Sequence, residues 1–164
     1  MRIGVISDTH LPGYSNRLKK IVERYFSDVD LILHAGDLVD LGVLEVFGER
    51  PVKAVCGNMD PLSVRRVLPD RLILEIKGFR LGIMHGWGSG ANLEEKLYSV
   101  LGPVDCLIYG HTHFPVNRKK EGVLFFNPGS ALEKRYAPVN TVGILEIGEA
   151  ITGNILKIEI EKEP

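Results

Sequence analysis

The chain has 164 residues, 45% of them hydrophobic, and a net charge of −1. That length suits one domain, residues 1–164, with a core of its own, and the charge balance offers no broad attraction to nucleic acid or an anionic membrane. No apolar stretch is long enough to span a bilayer, and the chain enters a strand-like run at once instead of a leader pattern, so a cytoplasmic location is expected.

Residues 2–7 are apolar and β-branched, as in a buried strand. After a loop with Pro12 and Gly13, Ser15 or Asn16 is placed to cap a helix. Leu18, Ile21, Val22, Tyr25 and Phe26 recur at helical spacing there and read as core packing. Residues 30–34 form a second strand, and Asp40 caps a short helix packed through Val43, Leu44 and Phe47 and ended by Gly48. Residues 52–56 form a third strand, and this alternation predicts parallel βαβ units. Pro61 to Asp70 reads as a polar loop. Leu72–Ile76 and Phe79–Met84 flank Lys77-Gly78, a hairpin turn. Gly86 to Gly90 is glycine-rich and holds the single Trp, yet lacks the Gly-Lys-Ser/Thr element of a phosphate-binding loop.

Asn92 and Glu95 have capping-box spacing ahead of a helix marked by Leu93, Leu97, Val100 and Leu101 and closed by Gly102-Pro103. A strand over residues 104–109 follows. Val116–Lys120 and Val123–Phe126 flank a second hairpin turn at Glu121-Gly122, and Asn127-Pro128-Gly129-Ser130 makes a sharp loop. Strands over 141–147 and 155–161 complete the chain, the latter from Leu156, Ile158 and Ile160 alternating with charged residues. The tail from Glu161 is expected to fray. Cys56 and Cys106 lie in apolar runs and read as reduced core residues.

One pattern recurs five times. Ile3–Ile6 leads to Asp8 and His10, Leu31–Leu33 to Asp37, Val52–Val55 to Asn58 and Asp60, Leu81–Met84 to His85, and Cys106–Tyr109 to His111 and His113. In open α/β sheets, loops at the carboxyl ends of strands converge on one crevice. With Asp60 set aside, two carboxylates, four imidazoles and one amide then form a mixed oxygen and nitrogen set without thiolate. Such a set suits Mn²⁺, Ni²⁺, Fe or Zn²⁺ better than a structural thiolate zinc site. Seven ligands exceed the needs of one small ion and fit two ions about 3.5–4 Å apart that share a carboxylate.

Asp8-Thr9-His10, Gly36-Asp37, Gly57-Asn58, His85-Gly86 and Gly110-His111-Thr112-His113, in that order, closely resemble the calcineurin-like metallophosphoesterases. The length resembles the small bacterial and archaeal phosphodiesterases of that superfamily. The resemblance implies an α/β fold, a two-sheet β-sandwich flanked by helices. It implies that Asp8, His10, Asp37 and His113 hold one metal and Asp37, Asn58, His85 and His111 the other, with Asp37 as the bridge and Mn²⁺ as the leading candidate. Asp37, Asn58 and Asp60 are the expected catalytic group. The implied reaction is attack on a phosphoester by a metal-bridging hydroxide. The formal charges of two divalent ions, two carboxylates and a hydroxide are matched by a phosphodiester and overshot by a fully ionised monoester, so a small phosphodiester is the expected substrate.

Many superfamily members carry Asn-His-Asp/Glu where this chain has Asn58-Met59-Asp60, so the usual acid for the leaving group is missing. His34 is the alternative acid, or else a satisfied strand-end histidine. Asn127–Ser130 is expected at the rim of the site, and Arg65, Arg66 and Arg135 are candidate phosphate contacts against a background reading of solvated surface. The competing function is a protein-interaction scaffold of the same fold, like the retromer subunit, but all seven ligand positions are intact here. A nuclease would need a basic groove that the charge balance does not supply. Oligomeric state is left open, a homo-oligomer included.

Overall fold

The computed structural model describes residues 1–133, 136–137 and 139–159. Arg135 and the tail from Ile160 lie outside them. Two five-stranded sheets face each other. The first has strand order β10 (Ile151–Lys157), β9 (Thr141–Ile147), β1 (Arg2–Ile6), β2 (Leu31–His34), β3 (Val52–Ala54), and the second β4 (Arg71–Ile76), β5 (Phe79–Met84), β6 (Cys106–Ile108), β8 (Val123–Asn127), β7 (Val116–Lys120).

The amino-terminal half builds one side of the first sheet as parallel units. β1 (Arg2–Ile6) pairs in parallel with β2 (Leu31–His34), and β2 with β3 (Val52–Ala54). Helix α1 (Asn16–Tyr25) makes the first crossover, with the Ser15 hydroxyl accepting from the Leu18 amide at its start. A 3₁₀ helix over Leu41–Phe47 makes the second, and the Asp40 carboxylate caps the Gly42 amide. Two antiparallel strands, β9 (Thr141–Ile147) and β10 (Ile151–Lys157), close the other side.

The second sheet begins with the hairpin of β4 (Arg71–Ile76) and β5 (Phe79–Met84). Lys77 and Gly78 both take positive φ, as a type I′ turn requires. Helix α3 (Leu93–Leu101) then crosses to β6 (Cys106–Ile108), parallel to β5. The hairpin of β7 (Val116–Lys120) and β8 (Val123–Asn127) adds β8 in parallel to β6.

Strand side chains alternate between faces, and that alternation sorts the apolar residues into three layers. Ile3, Val5, Leu31 and Leu33 face Leu81, Ile83, Ile108 and Phe126 between the sheets. Ile6 and Ile32 pack outward on Leu18, Val22, Phe26 and Phe47. Leu107 and Phe125 pack outward on Leu93, Leu97 and Leu101. The result is the expected sandwich with helices on both outer faces. No helix among the described residues is long and apolar enough to cross a membrane.

Several local expectations are corrected. The Pro61–Asp70 segment contains a short helix, α2 (Leu62–Arg65), anchored by buried Val64. Asn92 does not cap α3 through its side chain. Its left-handed backbone (φ 55°) differs from the extended one of a capping box, and its side chain accepts no capping bond. Val100 faces solvent at 38% exposure instead of packing inward. Cys56 is only partly buried, and both cysteines are free as expected. β10 starts at Ile151, four residues earlier than the alternation suggested, because pairing along β9 overrides the poor strand propensity of Gly153 and Asn154.

Candidate metal centre

All eight chemistry-bearing residues follow the carboxyl ends of parallel strands. Asp8 and His10 follow β1, Asp37 follows β2, Asn58 and Asp60 follow β3, His85 follows β5, and His111 and His113 follow β6. Five of them hold left-handed backbone: Asp8 (φ 53°), His10 (48°), Asp37 (56°), His111 (69°) and His113 (60°). Such conformations cost about 1–3 kcal/mol each in a non-glycine residue and persist only where the surroundings enforce them. Here the loops lace together. The amides of Asp8 and His10 donate to the carbonyls of Gly36 and Asp37 at 3.0 and 3.1 Å, and the Gly110 amide donates to the His85 carbonyl at 3.0 Å.

Two glycines are required by close approach. A Cβ on Gly57 would overlap the Asp37 carboxylate and stand 2.6 Å from its amide nitrogen. A Cβ on Gly110 would overlap Ser7 Oγ and stand 2.7 Å from Asp8 Oδ2. Any larger residue at either position pushes the ligand-bearing loops apart.

At the centre, Asp8 Oδ1 lies 3.1 Å from His113 Nε2, 3.7 Å from His10 Nε2 and 3.7 Å from His85 Nε2. Asp37 Oδ2 lies 3.2 Å from His85 Nε2 and 3.8 Å from His10 Nε2. The Nε2 atoms of His10 and His113 are 3.3 Å apart. Two groups can each surround a metal ion: Asp8, His10 and His113, and Asp8, Asp37 and His85. Asp8 is common to both, whereas the resemblance implied Asp37 as the shared carboxylate. Asn58 and His111 stand outside these groups. The His111 ring faces Asn58 Oδ1 through Nδ1 at 2.9 Å and donates to the Gly88 carbonyl through Nε2 at 2.6 Å.

The ligand atoms are presented by partners behind them. The Ser7 hydroxyl donates to Asp8 Oδ2 at 2.6 Å, which turns Oδ1 to the centre. His85 Nδ1–H donates to the Ala35 carbonyl at 2.7 Å, which leaves the Nε2 lone pair facing the carboxylates. Asp8 Oδ1 and His85 Nε2 are buried and make no well-formed hydrogen bond among the described residues. Buried polar atoms are rarely left so, and these two converge on the carboxylates and histidines just described. A divalent cation satisfies that donor set.

Electrostatics agree. Burial alone would raise the Asp8 carboxyl, but the His10, His113 and His85 imidazoles and the Ser7 hydroxyl outweigh it and hold the pKa well below the carboxylate range. Asp37 is likewise lowered against its burial, chiefly by His85 and the Met59 amide. Burial would lower His10 and His85, yet the carboxylates beside them raise both. The same negative field that favours protons on these imidazoles favours a metal cation in their place.

Asp60 has a different position from the one expected of a catalytic group. Its buried carboxylate accepts from the amides of Asp37, Val39 and Gly57 at 3.1, 2.6 and 2.7 Å, so it ties the β2 and β3 loops together. Arg65, expected at phosphate or in solvent, instead donates to the Asp60 and Asn58 carbonyls at 2.7 Å each. Its neighbour Arg66 is exposed.

Asn127–Ser130 is a buried buttress, not a rim. The Asn127 amide donates to the Gly110 carbonyl at 2.9 Å, and the Ser130 hydroxyl donates to the Asp8 carbonyl at 2.8 Å. His34 is fully buried with both ring nitrogens engaged. The Gly36 amide donates to Nδ1 at 3.2 Å, so Nε2 carries the hydrogen and faces Thr9 Oγ1 at 3.1 Å. Burial pushes its pKa down to about 3. It is a satisfied strand-end histidine, with no proton placed for a leaving group.

Comparison with known proteins places this geometry in a family. Residues 1–150 match the calcineurin-like phosphoesterase superfamily domain. The chain belongs to that superfamily. It is 39% identical to a probable metallophosphoesterase of Methanocaldococcus jannaschii, across 97% of this chain and 82% of the relative. It is 30% identical to a phosphodiesterase of the same organism, across 89% of this chain and 93% of the relative. Among solved structures, a novel archaeal phosphodiesterase superposes with a TM-score of 0.75 at 29% identity, covering 96% of this chain and 100% of the other. Wild-type Vps29 of Entamoeba histolytica, complexed with zinc, superposes at 0.72 with 25% identity, covering 96% and 99%. The calcineurin-like phosphoesterase fold expected from the motifs is therefore shown, and the Asp and His clusters lie where this superfamily member can take up metal.

Proposed function

We propose that the protein is a phosphodiesterase working with two divalent ions. Asp8, His10, Asp37 and His113 would hold one, and Asp37, Asn58, His85 and His111 the other. The observation that carries this reading is the convergence of two buried, unsatisfied ligand atoms, Asp8 Oδ1 and His85 Nε2, on a cluster of carboxylates and imidazoles. When bound, two such ions polarise phosphate oxygens and acidify a water.

The chain's own residues set the stage for that chemistry. Ser7 and the Ala35 carbonyl orient Asp8 and His85. Asp37 and Asn58 face the reacting group in this reading. Asp60 acts through them, because both of its oxygens hold backbone amides. Met59, 61% exposed beside Asn58, has no proton to give a leaving group. Both sheets supply ligands, so the chain acts as one unit. The mixed oxygen and nitrogen set suits Mn²⁺ first, with Ni²⁺, Fe or Zn²⁺ as alternatives. Free Cys56 and Cys106 fit a reducing, cytoplasmic setting. The scaffold alternative requires none of these atoms to converge and is the weaker account.

The test is chelator treatment followed by assay with bis(4-nitrophenyl) phosphate, with and without Mn²⁺ or Ni²⁺. Activity is expected to disappear with the metal and return on its addition. Full activity in verified metal-free protein overturns the proposal.

A further inference from the structure

Beside the metal centre lies a cleft of about 660 Å³, a size suited to a small organic ligand. Thr112, in its wall, stands between His111 and His113. That wall is fixed to the ligand loop, because the Asn127 amide donates to both the Gly110 carbonyl and Thr112 Oγ1. The cleft is therefore joined to the centre by a shared rigid loop.

Its lining is aromatic. Tyr109 and Phe125 are buried beneath α3, Tyr98 is half-buried, and Phe114 is 53% exposed directly after His113. A large aromatic side chain left in water next to a reactive centre is a mark of a binding site more than of a core. Trp87 and Met59, 40% and 61% exposed, border His85 and Asn58 in the same way.

The cleft's charges are largely spent on each other. Glu94 accepts from the Tyr109 hydroxyl at 2.5 Å and pairs with Arg118, whose guanidinium covers the Phe125 ring at 5.7 Å. Glu95, Glu121 and Lys120 also line it, so carboxylates outnumber cations. An anionic phosphate gains nothing there. A neutral flat ring gains aromatic contact with Tyr98 and the exposed Phe114.

We propose that this cleft is the subsite for the neutral, aromatic organic group of the phosphoester substrate, an inference that rests on the phosphodiesterase reading. Phosphate sits at the metal centre, and the esterified group extends past Thr112 against Tyr98 and Phe114.

The experiment compares two diesters with one leaving group, methyl 4-nitrophenyl phosphate and phenyl 4-nitrophenyl phosphate, on the Mn²⁺-loaded protein. Each rate is divided by the ester's hydrolysis rate in buffer. The phenyl ester is expected to have at least about tenfold higher kcat/KM, carried by KM. Tyr98→Ala and Phe114→Ala should bring that ratio to within about twofold, while Val100→Ala, on the solvent side of the same helix, preserves it. Equal wild-type values for the two esters overturn the subsite and leave the phosphodiesterase reading standing. If neither ester is turned over, the phosphodiesterase reading fails instead, and saturation-transfer NMR with neutral 2-naphthol decides the cleft. Binding lost in Tyr98→Ala supports an aromatic subsite, and equal binding or none overturns it.

Discussion

Asp37 Oδ2 stands within 3.8 Å of both His85 and His10, so one carboxylate oxygen faces both sides of the centre. We expect Asp37→Asn to weaken metal binding and lower the rate by more than about 100-fold, the upper end of what losing a group behind a ligand costs. His10→Ala, which removes a ligand from one side only, should cost less. Elemental analysis beside the rate checks this. Two ions retained at normal affinity in Asp37→Asn would transfer the bridging role to Asp8, the carboxylate shared by both clusters. Met59 invites a second residue-scale prediction. His34 is buried and fully engaged, and Asp60 is spent on amides, so no side chain described beside Asn58 is placed to protonate a departing alkoxide. Aryl esters with acidic phenols should be cleaved far faster than alkyl esters, with a steep dependence of log rate on leaving-group pKa. Met59→His should flatten that dependence, since a positioned acid is worth about 10²–10⁴-fold. A shallow slope in the unmodified protein would mean that another acid is present.

Helix α2 shows how a minor element can serve the centre. Four residues long and anchored by Val64, it brings Arg65 back over the β3 loop, where the guanidinium holds the carbonyls of Asn58 and Asp60. Arg65→Met should therefore weaken metal binding on the Asn58 side by about 10–100-fold, the usual cost of losing a positioning partner, with little change in the far-ultraviolet circular dichroism. Arg65→Lys reaches one carbonyl and should recover part of the loss. Metal titration by calorimetry reads both, and unchanged affinity in Arg65→Met would remove Arg65 from the positioning network. Sequence spacing could not reveal this clamp, because two side-chain bonds to backbone carbonyls leave no periodic signature. The strands and the ligands were legible for the opposite reason. Apolar runs must alternate or fill a sheet, and each run ended in a residue that chemistry can use. Left-handed φ at Asp8, His10, Asp37, His111 and His113 was not legible, since no propensity predicts strain that distant loops enforce. β10 was misplaced because Gly153 has poor strand propensity, whereas it lies over the Phe126 ring, where a Cβ would stand 2.6 Å from Cε2.

For the whole molecule, the buried charges set a pH dependence that distinguishes the metal-free from the metal-loaded protein. Asp8 and Asp37 have lowered pKa values, so their contribution is present above the ordinary carboxylate pKa and is lost as pH falls through their folded values. His34, pushed down to about 3, acts in the same direction. Between that value and its ordinary 6.5, the unfolded chain binds the proton that the folded chain refuses, so stability falls as pH drops below 6.5. His10 and His85 are raised. Their contribution is complete below the ordinary histidine pKa and disappears as pH rises through their folded values. Metal-free protein should therefore be most stable near the ordinary histidine pKa, about 6.5, and decline on both sides. Metal changes the alkaline limb through the two raised imidazoles. A cation among Asp8, Asp37, His10 and His85 supplies the positive charge that protons otherwise provide, and its binding releases those protons. Tm of the metal-free protein should thus fall as pH rises above the ordinary histidine pKa of about 6.5, through the range where the raised imidazoles titrate. The Mn²⁺-loaded protein should hold level, so the gap between them widens with pH. Differential scanning calorimetry across that range at fixed free Mn²⁺ provides the check. Parallel Tm curves would show that metal does not take the place of the protons on His10 and His85, and the proposed ligand set would fall with it.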